Sequence, residues 1–290
     1  MSATDLLSRA AASVALHIDG HLSDWPDAPV THAMRHALGG GKALRGALVL
    51  EGGRLHGMPE PQAIWPAAGI EALHAYSLVH DDLPAMDDDD LRRGQPTVHV
   101  AWDEATAILA GDALQSLAFE LVCDPRGAPT GEARSDLALS LARASGGRGM
   151  VLGQALDIAA ETADAPLGLR QVEELQSAKT GALIVWAAEA GARMAGADPA
   201  PLSAYGTALG RAFQIADDLL DATGDAQAAG KRLRKDAEAG KATFVELLGI
   251  EGAKARANAL VSDAQDALAP YGPDADPLRA LARFVIARNR

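Results

Sequence analysis

Cysteine, aromatic side chains, net positive charge and long uncharged apolar runs are all scarce in this chain, and each scarcity removes a class of explanation. With one cysteine, Cys123, among 290 residues, no disulfide framework can form within the chain, which fits a reducing compartment. Cys123 lies in an apolar stretch, and the expectation is a buried structural thiol. Aromatic residues make up only 4% of a chain that is 48% hydrophobic, and alanine dominates its periodic stretches. That composition favours closely packed helices over sheets, which draw on aromatic and β-branched side chains. A formal charge of -13 argues against a nucleic-acid partner or an anionic membrane surface, because both recruit basic patches. No uncharged apolar run approaches the roughly 20 residues of a spanning helix, and Met1-Ser2-Ala3-Thr4-Asp5 lacks the basic start of a signal peptide. The expectation is a soluble cytoplasmic protein with no membrane span.

What is present is helical periodicity punctuated by glycine and proline. Amphipathic pattern over residues 2–18 breaks where Pro26 and Pro29 stand, and the second helix is expected from near Val30. Gly39-Gly40-Gly41 interrupts before Lys42, and helix resumes over about 43–56. Pro59, Pro61 and Pro66 mark a loop and a helix start, followed by a largely buried helix over 67–80. Pro84 has no N–H to return to the carbonyl of His80, so this helix must kink or stop where Asp81 and Asp82 project. A polar loop over 87–97 follows. Further helices are expected over 103–123, 132–145, 150–160, 169–195 with a break near Thr180-Gly181, 199–221, 243–268 and from Pro277 onward. No repeat, low-complexity linker or composition shift divides the chain, so one all-α domain over 1–290 is the economical reading.

Two aspartate clusters carry the chemistry: Asp81-Asp82-Leu83-Pro84-Ala85-Met86-Asp87 and Asp217-Asp218-Leu219-Leu220-Asp221. At about 3.6 residues per turn, Asp217 and Asp221 fall on one helix face, where like charges repel unless a cation joins them. Carboxylate oxygens suit a hard ion such as Mg²⁺, which keeps several waters and bridges carboxylates to substrate phosphates. Arg92 and Arg93 follow the first cluster, and Lys231 and Lys241 follow the second. Cations and carboxylates packed together in this way are what a metal-bridged phosphate site requires.

With these residues in view, the chain resembles the trans-isoprenyl diphosphate synthases, and within them the bacterial farnesyl diphosphate synthases, over nearly its whole length. Residues 81–94, DDLPAMDDDDLRRG, look like the family's first aspartate-rich motif, and 213–221, FQIADDLLD, are similar to the second. Gly41-Lys42-Ala43-Leu44-Arg45 matches the element that holds isopentenyl diphosphate, with His74 as a third contact. Lys179-Thr180-Gly181 matches the element facing the allylic substrate, and 149–157 resemble the segment carrying the family's glutamine, here Gln154.

The resemblance implies an isoprenoid-synthase-type bundle around a deep central cavity, acting as a homodimer. It implies that dimethylallyl or geranyl diphosphate ionises, isopentenyl diphosphate attacks, and loss of a proton leaves farnesyl diphosphate. Asp81, Asp87 and Asp217 would ligate Mg²⁺, about three ions in the family pattern, with Asp82 and Asp221 in support. Arg92, Lys179, Lys231 and, as a weaker contact, Lys241 would bind the allylic diphosphate. Lys42, Arg45, His74 and Arg93 would hold isopentenyl diphosphate. Thr180 and Gln214 would steady the cation, and Asp88, Asp89 and Asp90 would be surface loop. Tyr76 and Ser77, just over one turn before Asp81, would line the growing tail, and Tyr76 favours farnesyl over geranylgeranyl as product.

Three departures from the family pattern stand out: Ala43 in place of a second basic residue, Gly46 in place of a common proline, and Arg234 where glycine is frequent. Rival readings are another short-chain synthase, a class I terpene cyclase, which needs no second diphosphate pocket, and a non-catalytic subunit of a heteromeric synthase.

Overall fold

The computed structural model describes residues 1–163, 165–223 and 243–287, so Lys231, Arg234, Lys241 and the basic C-terminus lie outside the described residues. Helix makes up 78% of the structure, and the fold is all-α. Among the described residues the strands are a single two-residue pair, β1 (Leu91–Arg92) against β2 (Gln95–Pro96).

The chain opens with α1 (Ala3–His21), started by a capping box in which Ser2 Oγ accepts from the Asp5 amide while the Asp5 carboxylate takes the Ser2 N–H. Next come α2 (Pro29–Leu38), with proline at its first position, and α3 (Leu44–Leu55). The long α4 (Glu60–Asp81) begins a full turn before Pro66, contrary to the sequence reading, and Pro66 sits inside it. Its neighbours Ala63, Ile64, Trp65 and Ala67 are all buried, and that burial outweighs the one backbone bond proline forfeits.

A single turn α5 (Val98–Ala101) leads into α6 (Glu104–Cys123), capped by the Asp103 carboxylate on the Thr106 amide at 2.6 Å. By length and composition α6 is apolar enough to cross a bilayer, but here it packs along α4. Cys123 is exposed, contrary to the sequence reading. It is the last residue of α6, and helix phase turns Leu121 and Val122 inward and Cys123 outward.

The remaining described helices are α7 (Gly131–Ser145), α8 (Met150–Glu161), α9 (Leu169–Gln176), α10 (Ala182–Met194), α11 (Ala200–Thr223), α12 (Phe244–Ala267) and α13 (Asp276–Ala287). A π-turn, Ser177–Gly181, carries α9 into α10 with right-handed helical backbone at both its ends, so the break expected near Thr180-Gly181 is a widened turn within a continuing helix. One hydrophobic cluster runs from Ala3 on α1 to Val285 on α13. Within it α4 lies against α3 and α6, while α10 lies against α3 and α11.

Close approach of these helices depends on two glycines. A Cβ at Gly191 would stand 2.0 Å from the Gly52 carbonyl carbon, and one at Gly69 would stand 2.7 Å from Val122 Cγ2. Gly191→Ala must therefore separate the backbones of α3 and α10. We expect a loss of about 2–4 kcal/mol, since overpacking a rigid contact costs at the upper end of its range; urea unfolding monitored by circular dichroism measures it.

Candidate active site

The site starts where α4 stops. Pro84 cannot donate, and the His80 carbonyl is taken instead by the Leu83 amide at 3.2 Å. The chain then folds back, with the Asp87 amide on the Asp81 carbonyl at 2.8 Å and the Asp89 amide on the Asp82 carbonyl at 3.2 Å. These bonds set Asp87 beside Asp81. Burial first, then the negative charges of Asp87 and Asp82, pushes the Asp81 carboxyl up to about 6, with Lys179 and Arg92 acting against the rise.

The polar stretch beyond it forms a hairpin whose two turn residues, Arg93 (φ 54) and Gly94 (φ 77), are both left-handed. That turn directs Arg92 back to Asp82, which accepts from Nε at 2.9 Å and also from Nη2, while Asp89 lies 3.4 Å from Nη2. Asp82 is only 3% exposed, so its carboxylate is committed to the arginine. Asp89, expected as surface loop, is half-buried and takes part in the same pair.

Three cavities adjoin along the bundle. The first, about 230 Å³, is lined by Lys42, Arg45, His74 and Arg93, together with Glu71 and Phe213. The second, about 350 Å³, shares Arg45 and His74 and adds Tyr76, Ser77, Asp81, Gln154, Lys179 and Thr180. The third, about 160 Å³, shares Lys179 and contains Asp87, Asp157, Gln214 and Asp218. The four residues predicted for one substrate therefore surround one space, and the lysine predicted for the other lies between two.

In the first cavity Arg45 is 9% exposed, and its Nε is buried with no acceptor. Arg93 is an exposed residue whose guanidinium tucks against Gly41 and donates to the Gly39 carbonyl at 2.8 Å. A Cβ on Gly41 would stand 3.0 Å from Arg93 Nη1. Burial, with Arg45, Arg93 and Arg92 nearby, holds His74 well below the usual histidine value, so it is a neutral hydrogen-bonding group at neutral pH.

In the second cavity Tyr76 meets His80 edge-on, ring centroids 5.1 Å apart, and His80 Nε2 lies 3.1 Å from the Ile108 carbonyl. Gly111 makes room for that imidazole, since a Cβ there would lie 2.1 Å from His80 Nε2. Both amide atoms of Gln154 are buried without a partner.

Lys179 and Thr180 belong to the π-turn, a geometry that re-aims side chains at functional positions. The turn is wedged in place: a Cβ at Gly153 would stand 2.1 Å from the Lys179 amide nitrogen, and one at Gly210 would stand 3.2 Å from Gly181 Cα. Lys179 Nζ meets Asp157 Oδ2 at 2.7 Å. The sequence reading passed over Asp157, although a carboxylate one turn after Gly153 on an apolar helix was a usable signal. Asp218, a member of the second cluster with no role of its own in the sequence reading, is buried and accepts the Phe244 amide at 2.8 Å, tying α11 to the start of α12.

α11 runs unbroken through Asp217 and Asp221 to Thr223. Asp217 reaches Arg45 electrostatically. Among the described residues, no three carboxylate, imidazole or thiol groups form a metal cage by themselves. The donor chemistry nevertheless fits Mg²⁺, which takes one or two carboxylates and completes its shell with water and phosphate oxygens. The crowding that raises Asp81 is what such a cation relieves.

A family model described as polyprenyl synthetase matches residues 27–268. The chain is 46% identical over 272 residues to the farnesyl diphosphate synthase of Escherichia coli (strain K12), covering 90% of each. It is 38% identical over 265 residues to a chloroplastic geranylgeranyl pyrophosphate synthase of Catharanthus roseus, covering 90% of this chain and 74% of that one. Its fold is similar to the crystal structure of an FPP/GFPP synthase from Zymomonas mobilis, with TM-score 0.89, 43% identity and 98% of both chains covered.

The depressed His74 has a measurable consequence. Its folded pKa lies below the unfolded one, so the unfolded state binds more protons as pH falls through the unfolded value, and stability is lost there. Between about pH 7 and about pH 5 the wild-type protein is expected to lose more stability than His74→Gln, read from urea midpoints; equal losses would place the proton elsewhere.

Proposed function

As a member of the polyprenyl synthetase family, the chain is a short-chain prenyltransferase that forms farnesyl diphosphate, and we propose that it does so with two separate diphosphate pockets joined by the central cavity. The observation that carries this reading is Arg45, a buried guanidinium with an unsatisfied Nε, in a cationic pocket lined by different residues from those around Asp87. A class I cyclase has one diphosphate to bind and no use for such a pocket.

Lys42, Arg45, His74 and Arg93 hold isopentenyl diphosphate, with neutral His74 donating or accepting one hydrogen bond. Lys179 and Arg92 hold the diphosphate of dimethylallyl or geranyl diphosphate, joined by Lys231 and Lys241 from outside the described residues. Asp81, Asp87 and Asp217 would hold Mg²⁺, with Asp82 and Asp221 in support, and the ion would supply Lewis-acid positive charge for the allylic diphosphate.

The allylic C–O bond breaks and its electron pair leaves with the diphosphate. The double bond of isopentenyl diphosphate then forms the new C–C bond, and the released diphosphate takes a proton from the carbon next to the resulting cation. Lys179, fixed by the π-turn and Asp157, stabilises the charge that develops on the leaving oxygen. Thr180 and Gln214 turn oxygen dipoles toward the cation. Tyr76, packed against His80, blocks the tail. The chain works as a single catalytic domain, as a cytoplasmic homodimer, in keeping with its resemblance to this family.

Replacing Lys42 and Arg45 together by alanine should raise KM for isopentenyl diphosphate about 100-fold or more, given that charge-assisted contacts contribute about 1.5–3 kcal/mol each, and should leave KM for geranyl diphosphate nearly unchanged. An unaltered requirement for isopentenyl diphosphate would sink the two-pocket reading. Tyr76→Ala should shift the product toward longer chains, read by chromatography of the dephosphorylated alcohols; an unchanged product would place the floor elsewhere.

A further inference from the structure

Glu71 is a carboxylate in an anion-binding pocket. It lies on α4 one turn before His74, lines the first cavity between Arg45 and Arg93, and has no part in the mechanism above. A negative charge there opposes the diphosphate that the pocket would bind, so its presence calls for an account.

Its hydrogen bonds supply one. Glu71 Oε1 accepts the Gly46 amide at 2.8 Å, and the Arg45 amide beside it favours the carboxylate more weakly. Both amides belong to the first turn of α3, where helix N–H groups lack partners within the helix. The start of α3 has no side-chain cap, because Ala43 occupies that position in the left-handed region (φ 45, ψ 45). Glu71 caps it from another helix. The Glu71 side chain also packs on this turn, since a Cβ at Gly46 would stand 3.4 Å from Glu71 Cγ.

The tether also determines what Glu71 does not do. Arg45 and Arg93 both interact with it electrostatically, yet neither guanidinium comes within ion-pair distance of it. Arg45 Nε stays unpartnered, and Arg93 Nη1 is held by the Gly39 carbonyl. The carboxylate cancels part of the pocket's positive charge through space without occupying the donors that a ligand would use.

We propose that Glu71 is a positioning residue that sets the affinity of the isopentenyl diphosphate pocket, the Gly46 amide at the start of α3 holding its carboxylate near Arg45 and Arg93 but away from contact with either. The charge moderates anion binding and keeps the pocket from retaining diphosphates, inorganic pyrophosphate included. The Gly46 N–H keeps Glu71 from closing onto the arginines and blocking the site. This inference rests on the assignment of isopentenyl diphosphate to Lys42, Arg45 and Arg93.

Two variants of the full-length enzyme test it from opposite sides. Glu71→Gln keeps an acceptor for the amides and removes the charge. It should lower KM for isopentenyl diphosphate about fivefold and strengthen competitive inhibition by inorganic pyrophosphate to a similar degree, with KM for geranyl diphosphate unmoved. Gly46→Pro keeps the charge and removes one tether, freeing the carboxylate to pair with an arginine, and KM for isopentenyl diphosphate should rise. A KM that is unchanged or raised in Glu71→Gln overturns the inference.

A purely structural cap would lower thermal stability and kcat without separating the two substrates' KM values. Should Glu71→Gln fail to fold, Gly46→Pro decides alone, and an unchanged or lowered KM there overturns the inference. Arg45→Ala run alongside separates the two readings. If it raises KM for isopentenyl diphosphate while Glu71→Gln does not lower it, only the role of Glu71 falls; if Arg45→Ala leaves that KM unchanged, the pocket assignment itself falls.

Discussion

The end of α4 at Asp81 is the constraint on which the rest of the site depends. Pro84 removes the donor that would extend the helix, and the freed chain closes back through the Asp87 amide to the Asp81 carbonyl. Every other arrangement near the site is referred to that point. Glu71 and His74 lie on the last turns facing the first cavity, and Tyr76, Ser77 and Asp81 face the second. The returning loop carries Arg92 to Asp82 and Arg93 to the glycine loop before α3. A helix that ran on past Asp82 would carry Asp87, Arg92 and Arg93 away from these groups on α4.

Charge is sorted along the cavities with little direct cancellation. At one end Asp81 and Asp87 crowd each other, and burial adds to the strain on the ionised form. At the other, Arg45 is buried with a free donor and Glu71 is held off by a backbone amide. Between them Lys179 is fixed by Asp157 and by a π-turn that Gly153 allows to sit against α8. An ion pair that closed fully would leave nothing for a ligand; Arg92 gives Nε and Nη2 to Asp82, yet its side chain stays 32% exposed. Preorganised charge that is not fully neutralised is what a diphosphate-handling site needs.

Much of this was legible in the sequence because it is written locally. Pro84 after an apolar run and the glycines before Lys42 each act on their own neighbours, and α4 and α2 end where they predict, while the irregularity expected near Thr180-Gly181 takes the form of a π-turn. The misreadings came where tertiary packing outweighed a local signal. Pro66 reads as a helix start but is carried inside α4 by the burial around it, and Cys123 reads as core but sits on the outward phase of its helix's last turn. Asp89 looks like solvated acid until the hairpin turns Arg92 toward it. The partners of Glu71 and Asp157 escape the sequence for a different reason. They are a backbone amide 25 residues earlier and a lysine 22 residues later, and no spacing rule connects such pairs.

The central claim is that this chain joins two diphosphates, each in its own pocket. The most direct measurement incubates the purified wild-type protein with Mg²⁺, geranyl diphosphate and isotopically labelled isopentenyl diphosphate, and follows the label. The account predicts farnesyl diphosphate and inorganic pyrophosphate in equal amounts, with the label in the newly added unit. A folded protein that forms no carbon–carbon bond, or that consumes geranyl diphosphate alone to give a hydrocarbon, would contradict it.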